Sequence, residues 1–83
     1  MRVKYCAWVR ERIGKDEDDF EPPAEVRTVG ELIGWLAQRD DNYAAAFDRP
    51  QVIRAAIDQC HVQADAPIAG AREVALFPPM TGG

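Results

Sequence analysis

The sequence predicts an α+β fold in which one main helix packs on one face of a mixed sheet of four to five strands. Three observations support this prediction. Strand-like segments occupy both ends of the 83-residue chain, one strong helix signal lies between residues 28 and 40, and two further strand-like segments follow that helix. Because the first and last segments both have the pattern of buried strands, we expect them to pair in the centre of the sheet.

The N-terminal strand is predicted over residues 2–9, where β-branched and aromatic residues partly alternate with other types. A single helical turn should follow at residues 9–14, because Val9 and Ile13 are four residues apart and Gly14 is a helix stop. The next stretch, residues 15–23, is polar and acidic. It has room for a short edge strand around Phe20.

The main helix begins at a capping box, in which Thr28 and Glu31 can satisfy each other's backbone N–H groups. An apolar stripe follows at helical spacing. Its members are Val29, Leu32, Ile33, Leu36 and Ala37. The helix should end near Arg39 and Asp40, and residues 42–47 can add a second short helical turn.

The second half of the chain contains the remaining strands. We predict a strand over 51–57, a turn at Asp58-Gln59, a return strand over 60–63, a turn or 3-10 segment over 66–71 and a last strand over 72–77. Pro78-Pro79 ends that strand, because proline has no N–H to donate. The order of elements predicts a roll of the β-grasp kind, with one domain over 1–77 and a flexible tail over 78–83.

Composition and charge narrow the classes of function. The chain is 47% hydrophobic and 29% charged, which argues against global disorder. Its net charge of −4 disfavours nucleic acid and anionic membranes and favours a basic protein partner. No apolar run approaches the roughly 20 residues of a membrane span. The N-terminus does not resemble a signal peptide, so we expect a cytoplasmic protein.

The polar and reactive side chains of the body do not form a catalytic pattern. Cys60 and His61 are adjacent and lack further ligands, so no metal site is predicted, and His61 is interpreted as a solvated turn residue. Cys6 is interpreted as a small core or interface residue, and its thiol should be reduced. The acidic run at 16–19 is interpreted as a solvated loop.

The tail carries the chemistry that the body lacks. Pro78-Pro79 favours an extended polyproline geometry, and the six residue steps from Phe77 to Gly83 reach roughly 20 Å. Gly82-Gly83 has no side chains, so it can pass through a narrow tunnel in another protein. The Gly83 carboxylate could be activated as an acyl-adenylate by ATP, and a sulfur donor could then convert it to a thiocarboxylate. A terminal Gly-Gly alone is a weak motif, but the complete run favours a carrier.

Three segments resemble the small subunit of molybdopterin synthase. Residues 74–83, Val-Ala-Leu-Phe-Pro-Pro-Met-Thr-Gly-Gly, resemble its C-terminus. Residues 5–11 resemble its first strand and its Ala-x-Val-Arg-Glu motif, which includes Arg10. Thr28-Val29-x-x-Leu32 resembles the start of its helix. The resemblance covers nearly the whole chain, and the two ends are its most specific parts.

The resemblance implies a ubiquitin-like β-grasp fold and a carrier with no active site of its own and no bound cofactor. Gly83 would be adenylated by a ubiquitin-activating-type adenylyltransferase that consumes ATP, and would then carry sulfur as a thiocarboxylate. The tail would insert into a large catalytic subunit, in an assembly expected to be a heterotetramer. There sulfur would pass to cyclic pyranopterin monophosphate during molybdenum cofactor biosynthesis.

The resemblance also assigns roles to residues. Those that would insert into the large subunit are Thr81, Gly82 and Gly83. Those that would bind the partner, together with the exposed face of the sheet, are Phe77, Pro78, Pro79, Met80 and Arg10. The sequence departs from the family at Cys6, where an aromatic is common, at Asp58, where asparagine is common, and at Ala71-Arg72-Glu73, in place of Gly-Asp-Glu.

Two other classes of function share this tail. One is a ubiquitin-like modifier, or a sulfur carrier for thiamine synthesis or tRNA thiolation, and the other is an inert β-grasp interaction module. The length of the chain and its Phe-Pro-Pro segment favour the molybdopterin synthase type over the thiamine type.

Overall fold

The computed structural model describes residues 1–79 of the 83-residue chain. Its strands are β1 (Arg2–Tyr5), β2 (Glu17–Asp19), β3 (Arg54–Ile57), β4 (Cys60–Val62) and β5 (Glu73–Phe77). Its helices are α1 (Ala7–Ile13), α2 (Val29–Ala37) and α3 (Asp41–Ala46), with a 3-10 turn at Pro50–Val52. None of the helices in this part of the chain is both long and apolar enough to span a bilayer.

The five strands form one mixed sheet in the order β2-β1-β5-β3-β4. β1 and β5 are parallel, and every other pair of neighbours is antiparallel. The N-terminal and C-terminal strands therefore pair, and β5 lies in the middle of the sheet, as the sequence predicts. With helices on one face only, this is a ubiquitin-like β-grasp fold, which confirms the predicted class.

All three helices pack on the same face of the sheet. Val3 and Tyr5 of β1 and Val74 and Leu76 of β5 point toward the helices and are buried, because side chains alternate along a strand. They form one hydrophobic core with Val9, Ile13, Val29, Leu32, Ile33, Leu36, Tyr43, Ala46, Phe47, Ile53, Ala55 and Ile68. α2 is the longest helix, with nine residues and the predicted capping box. α1 and α3 extend the helical layer beyond the single main helix expected.

Two predicted strands are shorter than expected, for a common reason. β1 ends at Tyr5 rather than at residue 9, and the 51–57 strand begins at Arg54 after the 3-10 turn. In the sheet Tyr5 pairs with Leu76, and Arg54 pairs with Phe77. Further pairing would place both neighbours beside Pro78 and Pro79, which cannot donate hydrogen bonds. The proline pair therefore ends the ladder on both sides of β5.

The chain turns from β1 directly into α1. Ala7 has φ +53°, a left-handed conformation that reverses the backbone after Cys6. α1 has two turns rather than the single turn expected, and its core-facing residues Val9 and Ile13 are buried. Gly14 ends the helix with φ +91°, so the predicted glycine stop is confirmed.

The hairpin between β3 and β4 has the predicted turn at Asp58-Gln59. Both residues have positive φ, +48° and +73°, as a two-residue type I′ turn requires. The Asp58 carboxylate accepts hydrogen bonds from the backbone N–H groups of Arg72 and Glu73, each at 3.0 Å. These contacts tie the turn to the start of β5.

The acidic run is not a solvated loop, contrary to the prediction, because three of its residues form the edge strand β2. The strand ends one residue before Phe20. Asp18 points inward, and its carboxylate accepts hydrogen bonds from Tyr5 Oη at 2.8 Å, Tyr43 Oη at 2.5 Å and Lys15 Nζ at 3.1 Å. Burial by itself would raise the pKa of Asp18, but these three donors outweigh it and hold that pKa below its usual range.

Candidate functional site

The base of the tail lies at the C-terminal end of the central strand. Phe77 pairs with Arg54 on β3, and on the other side the backbone N–H of Cys6 donates to the Leu76 carbonyl at 3.1 Å. β5 is therefore held on both sides up to the point where Pro78-Pro79 begins. The side chains of Phe77, Pro78 and Pro79 are half-buried. A chain that leaves the middle of a rigid sheet starts in a fixed direction.

Four of the predicted site residues lie outside the described part of the chain. They are Met80, Thr81, Gly82 and Gly83. The roles assigned to them, and the flexible tail over 78–83, stay predictions.

Phe77 belongs to the face of the sheet that the helices leave uncovered. We call this the open sheet face. Its outward side chains are those of Arg2, Lys4, Glu17, Asp19, Arg54, Ala56, His61, Glu73, Ala75 and Phe77, as the strand register places them. The face and the tail therefore meet at Phe77.

The apolar centre of the open sheet face is formed by Phe77, Ala75 and Ala56. Ala56 is only 8% exposed although it is not part of the hydrophobic core, so its neighbours on this face cover it. His61 lies edge-on to Phe77, with the ring centroids 5.4 Å apart. The interpretation of His61 as a turn residue is wrong, because it lies on β4 opposite Ala56.

Arg10 lies on a different element. It is on α1, one helical turn after Cys6, and its Nε is 3.8 Å from Asp16 Oδ1. Its side chain is about half exposed, so it remains accessible to a partner. α1 starts at the end of the sheet where β5 finishes, because Tyr5 and Leu76 are in register.

Three residues of the open sheet face were not predicted from the sequence as part of a site. They are Lys4, Arg54 and His61. The two-residue turn at Asp58-Gln59 contained the necessary signal for His61, because it fixes the hairpin register that places His61 opposite Ala56. The positions of Lys4 and Arg54 on this face follow only from the pairing of β5 with β1 and β3, which joins segments far apart in the chain.

The described residues contain no group of three or more side chains placed to hold a metal ion. Both thiols are free, with Cys6 half-buried and Cys60 exposed. A groove of about 640 Å³ lies between α2 and the β3–β4 hairpin, and its lining does not include Phe77. The groove borders the end of β5, because Arg54 and His61, which line it, also contact or pair with Phe77.

Comparison with known sequences identifies close relatives of the whole chain. A sequence profile of the ThiS family matches residues 3–83. The molybdopterin synthase sulfur carrier subunit of Escherichia coli (strain K12) is 37% identical over 83 residues, covering 100% of this chain and 99% of the relative. The protein of the same name from Haemophilus influenzae is 34% identical over 87 residues, covering 100% and 99%.

Solved structures share the fold. A candidate molybdopterin converting factor, subunit 1, from Pyrococcus furiosus superposes with a TM-score of 0.73 at 26% identity, covering 95% of each chain. SAMP1 from Haloferax volcanii superposes with a TM-score of 0.71 at 22% identity, covering 100% of this chain and 98% of that one. The second similarity is one of fold alone.

Proposed function

This chain belongs to the ThiS family, and from that premise we propose that it is the sulfur carrier subunit of a molybdopterin synthase. In this role it has no active site of its own. It delivers sulfur on the Gly83 carboxylate to a large catalytic subunit, which acts on cyclic pyranopterin monophosphate.

The observation that carries the proposal is the position of the tail. The last strand is the central one, and it passes directly into Pro78-Pro79 at the end of the sheet. A tail that starts from the rigid centre of the sheet leaves the body in a fixed direction, whereas a tail that starts from a frayed edge strand does not. Two curated relatives named as sulfur carrier subunits match the full length of the chain, including its C-terminus.

The proposed chemistry takes place at the Gly83 carboxylate. In the activating enzyme a carboxylate oxygen attacks the α-phosphate of ATP, which forms an acyl-adenylate and releases pyrophosphate. Sulfide-level sulfur, HS⁻, then attacks the acyl carbon, AMP leaves with the bonding electron pair, and the S–H proton is lost to solvent. The resulting thiocarboxylate is an ionised sulfur nucleophile at neutral pH, mounted on an arm.

The proposal divides the chain into two parts. Residues 1–77 form the body, which docks through Phe77, the open sheet face and Arg10. Residues 78–83 form the arm, in which Gly82 allows the backbone to pass through a confined tunnel. In a heterotetramer, two such carriers would each serve one large subunit.

Intact mass spectrometry tests the carrier role. In protein purified from cells that synthesise the cofactor, we expect a species heavier by the exchange of one oxygen for sulfur. Fragmentation should place the difference at Gly83. A Gly83-deleted chain should not acquire this mass and should not support cofactor synthesis in a reconstituted assay. Undiminished synthesis with the deleted chain would refute the proposal.

A matched pair of variants tests the role of the arm. Gly82→Ala adds one methyl group inside the proposed tunnel, and we expect sulfur transfer to fall by about 100-fold, as small misplacements of reacting groups can cause. Gly34→Ala adds the same methyl group at an exposed position on α2, where no atom lies within 4 Å of the new Cβ. It should transfer sulfur at the wild-type rate. Equal rates for the two variants would show that Gly82 is not confined.

A further inference from the structure

The open sheet face carries both ion-paired and unpaired charges. At the end remote from the tail, Asp19 and Glu73 are the register partners of Arg2. Arg2 also forms an ion pair with Glu17, Nε to Oε2 at 3.3 Å. Closer to the tail, Lys4 lies between Glu17 and Ala75, and Arg54 is opposite Phe77. The Glu17 carboxylate, however, is the one that forms the ion pair with Arg2. The tail-side end of the face therefore carries cations around an apolar centre.

Neither Lys4 nor Arg54 forms an ion pair within the described body, although Glu17 is the strand neighbour of Lys4. In residues 1–79 neither side chain has a carboxylate oxygen within 4 Å, and both residues are exposed. The hydrogen bond found for the Arg54 guanidinium joins Nη1 to the Gln51 carbonyl at 3.2 Å. A guanidinium has five N–H donors, so most of its capacity remains for a partner.

The apolar centre is too small to determine orientation alone. It consists of Phe77 and two alanines, with His61 against the Phe77 ring. Aromatic anchors provide much of the binding free energy of an interface, while charged groups around them fix register and exclude wrong partners. On this face the unpaired charges next to the anchor are both positive.

From this arrangement we infer that Lys4 and Arg54 recognise carboxylates on the partner surface that surrounds the entrance for the tail. The inference rests on the proposed function and specifies the chemistry of its partner. The large subunit would present an acidic rim against the tail-side end of the open sheet face. Its tunnel would need the opposite charge, because the arm carries an anionic thiocarboxylate.

This prediction differs from the one that net charge suggests. A chain of net charge −4 favours a basic partner at long range, but salt at physiological strength screens exposed charges beyond roughly 8 Å. At contact distance, the local charges determine which partner side chains are favourable. The partner is therefore expected to be acidic where it touches Lys4 and Arg54, whatever the sign of its net charge.

Charge reversal at two arginines tests the inference. Arg54→Glu and Arg27→Glu change the net charge equally, but Arg27 is exposed in the segment before α2 and does not lie on the sheet. Binding to the large subunit from the same organism would be measured by calorimetry, with the full chain. We expect Arg54→Glu to weaken binding by about tenfold or more, and Arg27→Glu to change it by less than about twofold.

Two further measurements keep the test decisive. Circular dichroism would verify that each variant is folded, and Arg54→Gln replaces Arg54→Glu if the reversal prevents folding. The double variant Lys4→Gln/Arg54→Gln should show a weaker dependence of affinity on NaCl concentration than the wild type. Equal binding by the Arg54 and Arg27 variants would overturn this inference alone. A wild-type chain that does not bind the large subunit would overturn the proposed function as well.

Discussion

At the scale of single residues, the most informative side chain outside the tail is Asp18. It lies on a strand of acidic residues, yet its side chain is only 13% exposed and accepts from two tyrosines and a lysine. Burial raises the pKa of Tyr5 and of Tyr43, and their hydrogen bonds to Asp18 add to that effect, so both remain neutral donors. The cluster fastens the edge strand β2 to β1 and α3.

We predict that Asp18→Asn lowers the free energy of unfolding by about 1–3 kcal/mol at pH 7, because charged hydrogen bonds are lost. The pKa of Asp18 is lowered by folding, so its contribution is fully present above the unfolded value of roughly 3.9. It is lost as the pH falls through the lower folded value. Urea unfolding from pH 7 to pH 3 should show the two proteins converging in acid.

Asp65→Asn is the matched control for this prediction. Asp65 is exposed in the loop after β4, and its replacement should change the free energy of unfolding by less than about 0.5 kcal/mol. A loss in Asp18→Asn no larger than in this control would mean that the tyrosine cluster does not stabilise β2.

At the scale of elements, the boundaries follow from which backbone groups can pair. Pro78 and Pro79 end β5 and, through the register, also end β1 and delay the start of β3. The same segment thus sets the length of three strands and forms the base of the arm. This accounts for both strand boundaries that the local pattern misplaced.

Gly14, which caps the end of α1, and Gly34, which lies inside α2, should respond oppositely to the same substitution. Gly14 has φ +91°, and no atom lies within 4 Å of an added Cβ, so Gly14→Ala meets backbone strain only. We expect a loss of about 1–2 kcal/mol in the free energy of unfolding. Gly34 is exposed inside α2, where alanine is the better helix former, so Gly34→Ala should gain up to about 1 kcal/mol.

Urea unfolding followed by circular dichroism would measure both variants. A loss in Gly34→Ala, or no change in Gly14→Ala, would contradict the conformational explanation.

At the scale of the whole molecule, the body and the arm should be energetically independent. Within the described residues 1–79, the hydrophobic core extends from Val3 to Leu76, and neither Pro78 nor Pro79 belongs to it. We therefore expect deletion of Gly82-Gly83 to leave the midpoint of thermal unfolding unchanged while sulfur transfer is lost. Differential scanning calorimetry of the full chain and the truncated chain checks this. A lowered midpoint would show that the arm packs on the body.

Much of this architecture could be predicted from local patterns. The alternation around Val3 and Tyr5, the capping box of Thr28 and Glu31, and the two-residue turn at Asp58-Gln59 each depend on neighbouring residues, and the structure confirms all three. Local sequence was sufficient because capping, turn formation and amphipathic alternation act over a few residues.

The predictions from local sequence were wrong where contacts between distant segments determine the secondary structure. Residues 7–9 alternate like a strand but form a helix. They have no strand to pair with, because β5 ends at Pro78-Pro79, which cannot donate hydrogen bonds. Aspartate is a residue type common in loops, but Tyr5 and Tyr43, which are distant in sequence, cover Asp18 and donate hydrogen bonds to its carboxylate. Local propensity is a weak preference that tertiary packing overrides.

The sequence by itself determined the β-grasp class, the central pairing of the two terminal strands and the identity of the tail as the chemically distinctive segment. Only the tertiary structure decided which side chains surround the base of that tail. Lys4, Arg54 and His61 come from three strands and meet Phe77 through the register of the sheet. Register depends on hydrogen bonds between segments far apart in the chain, so a local pattern could not reveal this surface.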